Sequence, residues 1–265
     1  MQVCSCEVIL KFVEKTLQKS KFSNSEIDSM TLFLLPNLLS EELSADLFLP
    51  PGVKGAVESL QGLIAESEKG GRRYLRRFLS HERMAACPIK LLNEHTTAAE
   101  LDELFLPLKQ GEKWGLVSDA GIPCLADPGA PLVLRARREN IPVTTFAGPS
   151  APILALQLSG LTGQRFAFHG YLPREPLALG QTFKELEKRS RKDRATQIWI
   201  EAPYRSRQCA NIAFEQLKPT TLFCIALNIT TERQRISTLS VKQWRTASFP
   251  IEKEPAIFLM LDIEP

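Results

Sequence analysis

Short apolar runs alternate with amphipathic stretches along most of this chain, and the alternation predicts its architecture. Thr31–Leu35, Gly62–Glu66, Pro88–Leu92, Trp114–Val117 and Ile141–Phe146 have the length and composition of strands buried on both faces. Val53–Leu60, Ala98–Lys109 and Pro131–Glu139 lie between them with helical spacing. In Ala98–Lys109 the stripe is Leu101, Leu104, Phe105 and Leu108. Another helix is predicted after Gly70-Gly71, where Arg72, Arg73, Arg76 and Arg77 share one face. Beyond Ala147, Ser150 reads as the N-cap of a helix over Ile153–Ser159. Strands follow at Phe166–Leu172, Thr196–Ile200, Thr221–Leu227, Arg235–Leu239 and Ala256–Leu261. Helices are predicted at Leu177–Lys188, Arg207–Leu217 and Val241–Trp244.

Strands alternating with helices at this spacing mean a parallel sheet, and shorter links between the last strands mean antiparallel pairing there. The expected fold class is α/β with two α/β domains. An N-terminal parallel-sheet domain covers 30–148, and a C-terminal mixed-sheet domain covers 149–265. Residues 1–29 stand apart as an N-terminal extension, either an accessory helix or a mis-assigned start, because Met30 directly precedes the first convincing strand. Glu7 and the shortness of the apolar run argue against a signal peptide.

Composition changes this picture little. A chain of 265 residues with 44% apolar and 24% charged content can bury a full core. A net charge of +3 does not by itself call for nucleic acid. No apolar run approaches the roughly 18 residues of a membrane span. The six cysteines are scattered without a C-x-x-C pair, and three histidines are too few for a zinc site. Free thiols, a cytoplasmic location, no membrane and no metal are the expectations.

The chemistry is expected in loops at strand ends. Val117–Gly129 runs from a strand end through Gly121, Pro123 and the pair Asp127-Pro128, which reads as an N-cap followed by proline at the first helical position. Such a loop leaves backbone N–H groups to grip a ligand. Pro36-Asn37, Gly148–Ala151, Glu201–Arg205 and Asn228–Thr230 end other strands. No G-x-G-x-x-G, G-x-x-x-x-G-K-[ST] or G-x-S-x-G is present, which removes the usual dinucleotide, P-loop and serine-hydrolase signatures.

Ser-Asp-Ala-Gly-Ile-Pro…Ala-Asp-Pro-Gly at 118–129 resembles a signature of the ribosomal RNA small subunit methyltransferase I family. That family belongs to the tetrapyrrole methylase-like, class III, S-adenosylmethionine-dependent methyltransferases. Gly148-Pro149-Ser150-Ala151, the Arg165–Pro173 segment and Glu201-Ala202-Pro203-Tyr204-Arg205 resemble further family segments in the same order, over roughly Thr31 to Leu261. Leu35–Leu38, Ala65–Lys69 and Ala226–Thr231 depart from it, and the chain stops soon after its last strand. It is therefore expected to be a divergent, short-form branch.

The resemblance implies S-adenosylmethionine in a cleft between the domains. Pro36, Ser118, Asp119, Ala120, Gly121 and Leu125 would form one part of that site, with Ser150 and Ala151 from the next loop. Glu201, Ala226, Asn228 and Ala256 would complete it. It implies 2′-O-ribose methylation of 16S rRNA by a homodimer. The general-base candidates are Glu201 and His169, because removal of the hydroxyl proton needs a nearby base. Arg72/Arg73/Arg76/Arg77 with Tyr74 and Phe78, the run Lys188–Arg194, and Arg205/Arg207 are candidate RNA contacts. Two rival readings share the fold: a small-molecule, tetrapyrrole-like methyltransferase, and a non-catalytic RNA- or protein-binding derivative.

Overall fold

A computed structural model describes residues 31–262. The expectations for residues 1–29, including Cys4 and Cys6, lie outside the described residues. In chain order the strands are β1 Thr31–Leu35, β2 Gly62–Ala65, β3 Ile89–Leu91, β4 Lys113–Val117 and β5 Val143–Thr145. They continue as β6 Phe166–Tyr171, β7 Thr196–Glu201, β8 Leu222–Leu227, β9 Arg235–Ser240 and β10 Ala256–Leu261. The helices are α1 Ala45–Phe48, α2 Gly52–Glu58, α3 Glu68–Leu75, α4 His81–Ala86 and α5 Ala98–Lys109. They continue as α6 Ala130–Arg138, α7 Ala151–Ser159, α8 Pro176–Asp193, α9 Ser206–Gln216 and α10 Val241–Trp244.

These elements form two compact units. The first comprises residues 31–35, Pro51–Asp119 and Pro123–Phe146. The second comprises Pro36–Pro50, Ala120–Ile122 and the chain from Ala147 onward. Each contains one five-stranded sheet.

The first sheet is parallel throughout, in the order β3-β2-β4-β1-β5. Its central strands β1, β2 and β4 are largely apolar because both their faces are covered, while the edge strands β3 and β5 carry Lys90, Thr144 and Thr145 and are partly exposed. Leu104, Phe105 and Leu108 of α5 and Leu132 and Ala136 of α6 pack on Leu32, Ile64 and Leu116. Val53 and Val57 of α2 and Tyr74 and Leu75 of α3 pack on Leu35, Leu63 and Val117 from the other side. Side-chain caps fix where helices begin. The Ser67 hydroxyl accepts the Gly70 N–H, and Thr97 with Glu100 forms a capping box at α5.

The second sheet is mixed, in the order β6-β7-β10-β8-β9. β6 and β7 are parallel, while β10 pairs antiparallel with β7 and β8, and β9 antiparallel with β8. One face carries α8, α9 and α10 around the fully buried Trp199, whose ring meets Phe183, Phe223 and Phe258. The other face carries α7, which buries Ala155 and Leu156 against Ile198, Cys224, Ala226, Ile257 and Leu259.

Three local expectations are corrected. α3 begins at Glu68, before the glycine pair, because the Ser67 cap outweighs the helix-weakening of two glycines. Asp127 does not cap α6. The N-cap is Gly129 at φ 134°, and proline at position 131 supplies the helix-start chemistry. Cys124 and Ala126 also have positive φ, so the chain coils between Pro123 and Gly129 before the helix begins. The short helices α1 and α4 were not expected, since neither buries a residue and neither leaves an apolar stripe.

Candidate functional site

In the first unit, β2 and β4 are adjacent and parallel, so their ends bring Glu66-Ser67 beside Ser118-Asp119. The Asp119 N–H donates to Glu66 Oε1 at 3.2 Å. The Ser67 hydroxyl meets both Asp119 carboxylate oxygens, at 3.2 and 3.4 Å, while accepting from the Gly70 N–H at 3.0 Å. Asp119 thus lies over the first turn of α3, where the helix dipole favours an anion.

Buried Ser118 hydrogen-bonds both Glu66 and Asp127 through its side chain. Its hydroxyl has only one proton to give, so it cannot donate to both carboxylates at once. Burial raises the pKa of Glu66, and the charges of Asp127 and Asp119 raise it further, against the hydrogen bonds that lower it. Asp127 is raised first by burial and then by Asp119, with Ser118 opposing. Glu66, Ser67 and Asp127 were not among the expected site residues. Their only sequence signal was their place beside the strand-end loops. Leu125 is half-buried in the coiled segment beyond them.

In the second unit, Pro36–Leu38, Ala120–Ile122 and Gly148–Ala151 are packed together. The Asn37 N–H donates to the Gly121 carbonyl at 2.7 Å, and the Asn37 side chain accepts the Leu38 N–H at 2.8 Å. A Cβ at Gly148 would lie 2.2 Å from the Pro36 ring, so these loops touch only because position 148 is glycine. Gly121 holds φ +74°, and a Cβ there would come 3.2 Å from the Pro149 carbonyl. Pro36, Gly121, Ser150 and Ala151 are therefore neighbours, with Ala120 exposed beside them.

Ser150 is the N-cap residue of α7, as expected, but its side chain makes no capping hydrogen bond. It is 8% exposed, and its Oγ has no hydrogen-bond partner. A buried hydroxyl without a partner normally costs on the order of 1–3 kcal/mol. Ala226 belongs to the same apolar cluster as Ala151, below this helix start.

The remaining candidates are dispersed. Ala256 pairs in register with both Leu227 and Glu201, on the sheet face opposite Ala226. Glu201 is buried at the end of β7. Its Oε1 accepts the Ala202 N–H at 2.8 Å, and its Oε2 lies 3.2 Å from the Arg205 guanidinium without hydrogen-bond alignment. Burial raises its pKa against that hydrogen bond and the charges of Arg205 and Arg174. Asn228, at φ 50°, donates to Glu254 at 2.7 Å, and Arg235 holds the other Glu254 oxygen. His169 is not brought to Glu201. It bonds Gln197, four residues back along β7 or about 13 Å at strand rise.

Three candidate RNA contacts are corrected. Tyr74 is 0% exposed in the core of the first unit, so it cannot stack on a base, and Arg72 is turned to the Met84 carbonyl. Arg205 is buried against Glu201 and the Pro173 carbonyl. In the run over Lys188–Arg194, Arg191 pairs with Asp262 at 2.9 Å. Lys188, Arg189, Lys192 and Arg194 stay exposed. Among the described residues no cluster of His, Cys, Asp and Glu is placed to hold a metal ion, and no helix is long and apolar enough to cross a membrane.

This pair of sheets is the tetrapyrrole methylase fold. The solved methyltransferase CobJ is similar over 88% of this chain and 93% of its own, with a TM-score of 0.56 and 19% identity. Uroporphyrin-III-C-methyltransferase from Thermus thermophilus matches 87% of this chain and 94% of its own, at a TM-score of 0.51 and 15% identity.

In sequence, the chain resembles ribosomal RNA small subunit methyltransferase I. The Xylella fastidiosa protein of that name is 39% identical over 137 residues, 52% of this chain and 48% of the relative. The Thermotoga maritima protein is 37% identical over 118 residues, 44% of this chain and 51% of the relative. The Escherichia coli O157:H7 protein is 33% identical over 153 residues, 57% of this chain and 50% of the relative. The chain thus spans about half the length of the curated relatives it matches. No protein-family model matches it.

Proposed function

We propose that this protein is an S-adenosylmethionine-dependent methyltransferase acting on rRNA, at a ribose 2′-oxygen of 16S rRNA. The reading is supported by similarity to relatives named as small-subunit ribosomal RNA methyltransferases, on a fold whose solved examples are methyltransferases. The observation that carries the cofactor assignment is the orphaned Ser150 Oγ at the start of α7. A buried hydroxyl at a helix N-terminus suits a carboxylate such as the one on the cofactor's amino-acid end. Pro36, Ala120, Gly121 and Ala151 would hold the cofactor from the surrounding loops, with Ala226 beneath. Ser118, Asp119, Leu125, Asn228 and Ala256 remain the other proposed contacts.

When bound, the cofactor supplies an electrophilic methyl group on a sulfonium. The protein's share is orientation and proton removal. Glu201 is the preferred base of the two candidates, because it sits at a strand end whereas His169 is tied to the opposite end of β7. Its raised pKa brings it nearer the range of a working base, provided Arg205 releases the carboxylate. A cytoplasmic homodimer is part of the same proposal.

Calorimetric titration with S-adenosylmethionine tests the cofactor, and ribose-methylation mapping of rRNA from a deletion strain tests the acceptor. Micromolar binding with loss of one ribose methylation is expected. Absence of binding at hundreds of micromolar would remove the enzyme reading, and an unchanged rRNA map would remove the acceptor.

A further inference from the structure

At the start of β7, at the other end of the strand from Glu201, a cavity of about 610 Å³ opens beside the edge strand β6. Its lining comes entirely from the segment between Gln164 and Gln197. Phe166 contributes an aromatic ring that is 44% exposed, and Arg165 and Arg189 contribute exposed guanidinium groups.

One side of the cavity is a fixed polar pair. Gln197 is 2% exposed, and its Nε2 donates to the Ala195 carbonyl at 3.0 Å. Its Oε1 is therefore the atom that meets His169 Nε2, 2.8 Å away. An amide oxygen only accepts, so His169 Nε2 carries the proton of this bond. The cavity thus combines two cations, an aromatic face and an imidazole held by Gln197.

The surrounding charge favours an extended polyanion over a small free ion. Lys188, Lys192 and Arg194 continue the positive surface along the end of α8, beyond the cavity itself. Asp193 is the acidic member of the lining and opposes an anion, but its backbone carbonyl accepts from Arg165 at 3.4 Å. The cations around it outnumber it. A flat ring with two guanidiniums in one cavity is the combination that grips single-stranded nucleic acid, by stacking a base while neutralising its phosphate.

We infer that this cavity holds one nucleotide of a single-stranded RNA segment. Its phosphate lies between Arg165 and Arg189, its base stacks on Phe166, and the base or ribose meets the His169 imidazole. The inference rests on RNA being the methyl acceptor. It adds a grip made of residues separate from those proposed to hold the cofactor, and it gives His169 a binding role in place of a catalytic one.

The test is fluorescence anisotropy with a labelled oligouridylate of about a dozen nucleotides, a length suited to such surfaces, over a range of salt concentrations. The combined variant Arg165→Ala/Arg189→Ala is expected to bind at least tenfold more weakly. Its log-log salt slope should be shallower by about 0.7, the loss of one neutralised phosphate on a single strand. Phe166→Ala is expected to weaken binding about tenfold with an unchanged slope, because stacking releases no counterions. Both variants should keep wild-type affinity for S-adenosylmethionine. Wild-type RNA affinity and slope in the double-arginine variant would overturn the inference while leaving the acceptor intact. So would a lower melting temperature with unchanged RNA binding, since the arginines would then serve only the end of α8. If the wild-type protein binds the methyl donor but no RNA, the acceptor reading falls and this inference falls with it.

Discussion

The Asp119 carboxylate rests where the side chain of residue 70 would be: a Cβ on Gly70 would lie 2.0 Å from Asp119 Oδ1. Gly70 is inside α3, a position where glycine normally weakens a helix by roughly 0.5–1 kcal/mol relative to alanine. Here the missing side chain makes room for a carboxylate over the helix start, bonded through Ser67. Gly70→Ala must push the exposed Asp119 carboxylate and the Ser67 hydroxyl aside, so it should forfeit the usual gain of alanine over glycine and leave stability unchanged or lower by up to about 1 kcal/mol. It should also displace Asp119 and weaken S-adenosylmethionine binding. Gly55→Ala in α2, where a Cβ meets nothing within 4 Å, is the control and should stabilise by roughly 0.5–1 kcal/mol. Denaturant melts of both variants check the pair, and equal gains would show that Asp119 is not lodged against α3.

The carboxylates around Ser118 give stability a definite dependence on pH. Burial and the neighbouring acids raise the Glu66 pKa in the folded state, so the folded protein holds that proton more tightly than the unfolded chain. The resulting contribution is complete below the ordinary carboxyl value of about 4 and is lost as pH rises through the raised value. Glu66→Gln keeps an oxygen for the Asp119 N–H and removes the charge. At neutral pH it should be more stable than wild type by about 1 kcal/mol or less, since Glu66 is half-exposed and partly screened. That advantage should vanish at pH 3. A variant less stable than wild type at neutral pH would contradict the sign.

Tyr74 was expected on a basic, aromatic surface and is in the core, with its hydroxyl buried and unpaired. Removing an unsatisfied polar atom without changing the ring's shape is neutral or favourable. Tyr74→Phe should leave the melting temperature unchanged or raise stability by about 1–2 kcal/mol. A marked loss in a thermal melt would mean that the hydroxyl has a partner.

The fold was legible where pattern and packing agree. The parallel strands contain the apolar runs Leu32–Leu35 and Trp114–Val117 because helices cover both faces, and that signal needs no tertiary knowledge. The Asp127-Pro128 helix start failed because local cap chemistry was outcompeted. Leu116 and Cys124 close around Gly129, where a Cβ would meet each at 2.7 Å, and that contact sets the start of α6. The Arg72–Arg77 face misled for a related reason. Arginine stems can lie along apolar surface, and the period of α3 turns Tyr74 inward between them. At the site, Gly121 and Ser150 stood out by their turn and helix-start positions. Glu66 and Asp127 became neighbours of Ser118 only through a sheet order that places β2 beside β4. Glu254 offered no sequence signal, since β9 and α10 lie between it and Asn228 in the chain.

Ser150 separates a structural cap from a ligand contact. If its hydroxyl stabilised α7, Ser150→Ala would cost about 1 kcal/mol, the usual loss for a cap. The hydroxyl accepts no N–H from the helix and is buried without a partner, so the alanine variant should match or exceed wild-type stability. Its cost should appear in the complex. A hydrogen bond from Ser150 to a charged carboxylate is worth about 1.5–3 kcal/mol, so S-adenosylmethionine affinity should fall roughly ten- to hundredfold. Calorimetric titration beside a denaturant melt reads both quantities on one preparation. Lower stability with unchanged affinity would return Ser150 to a structural role and take the cofactor's carboxylate elsewhere. Unchanged stability with weakened binding would mark the start of α7 as the place where the methyl donor is anchored.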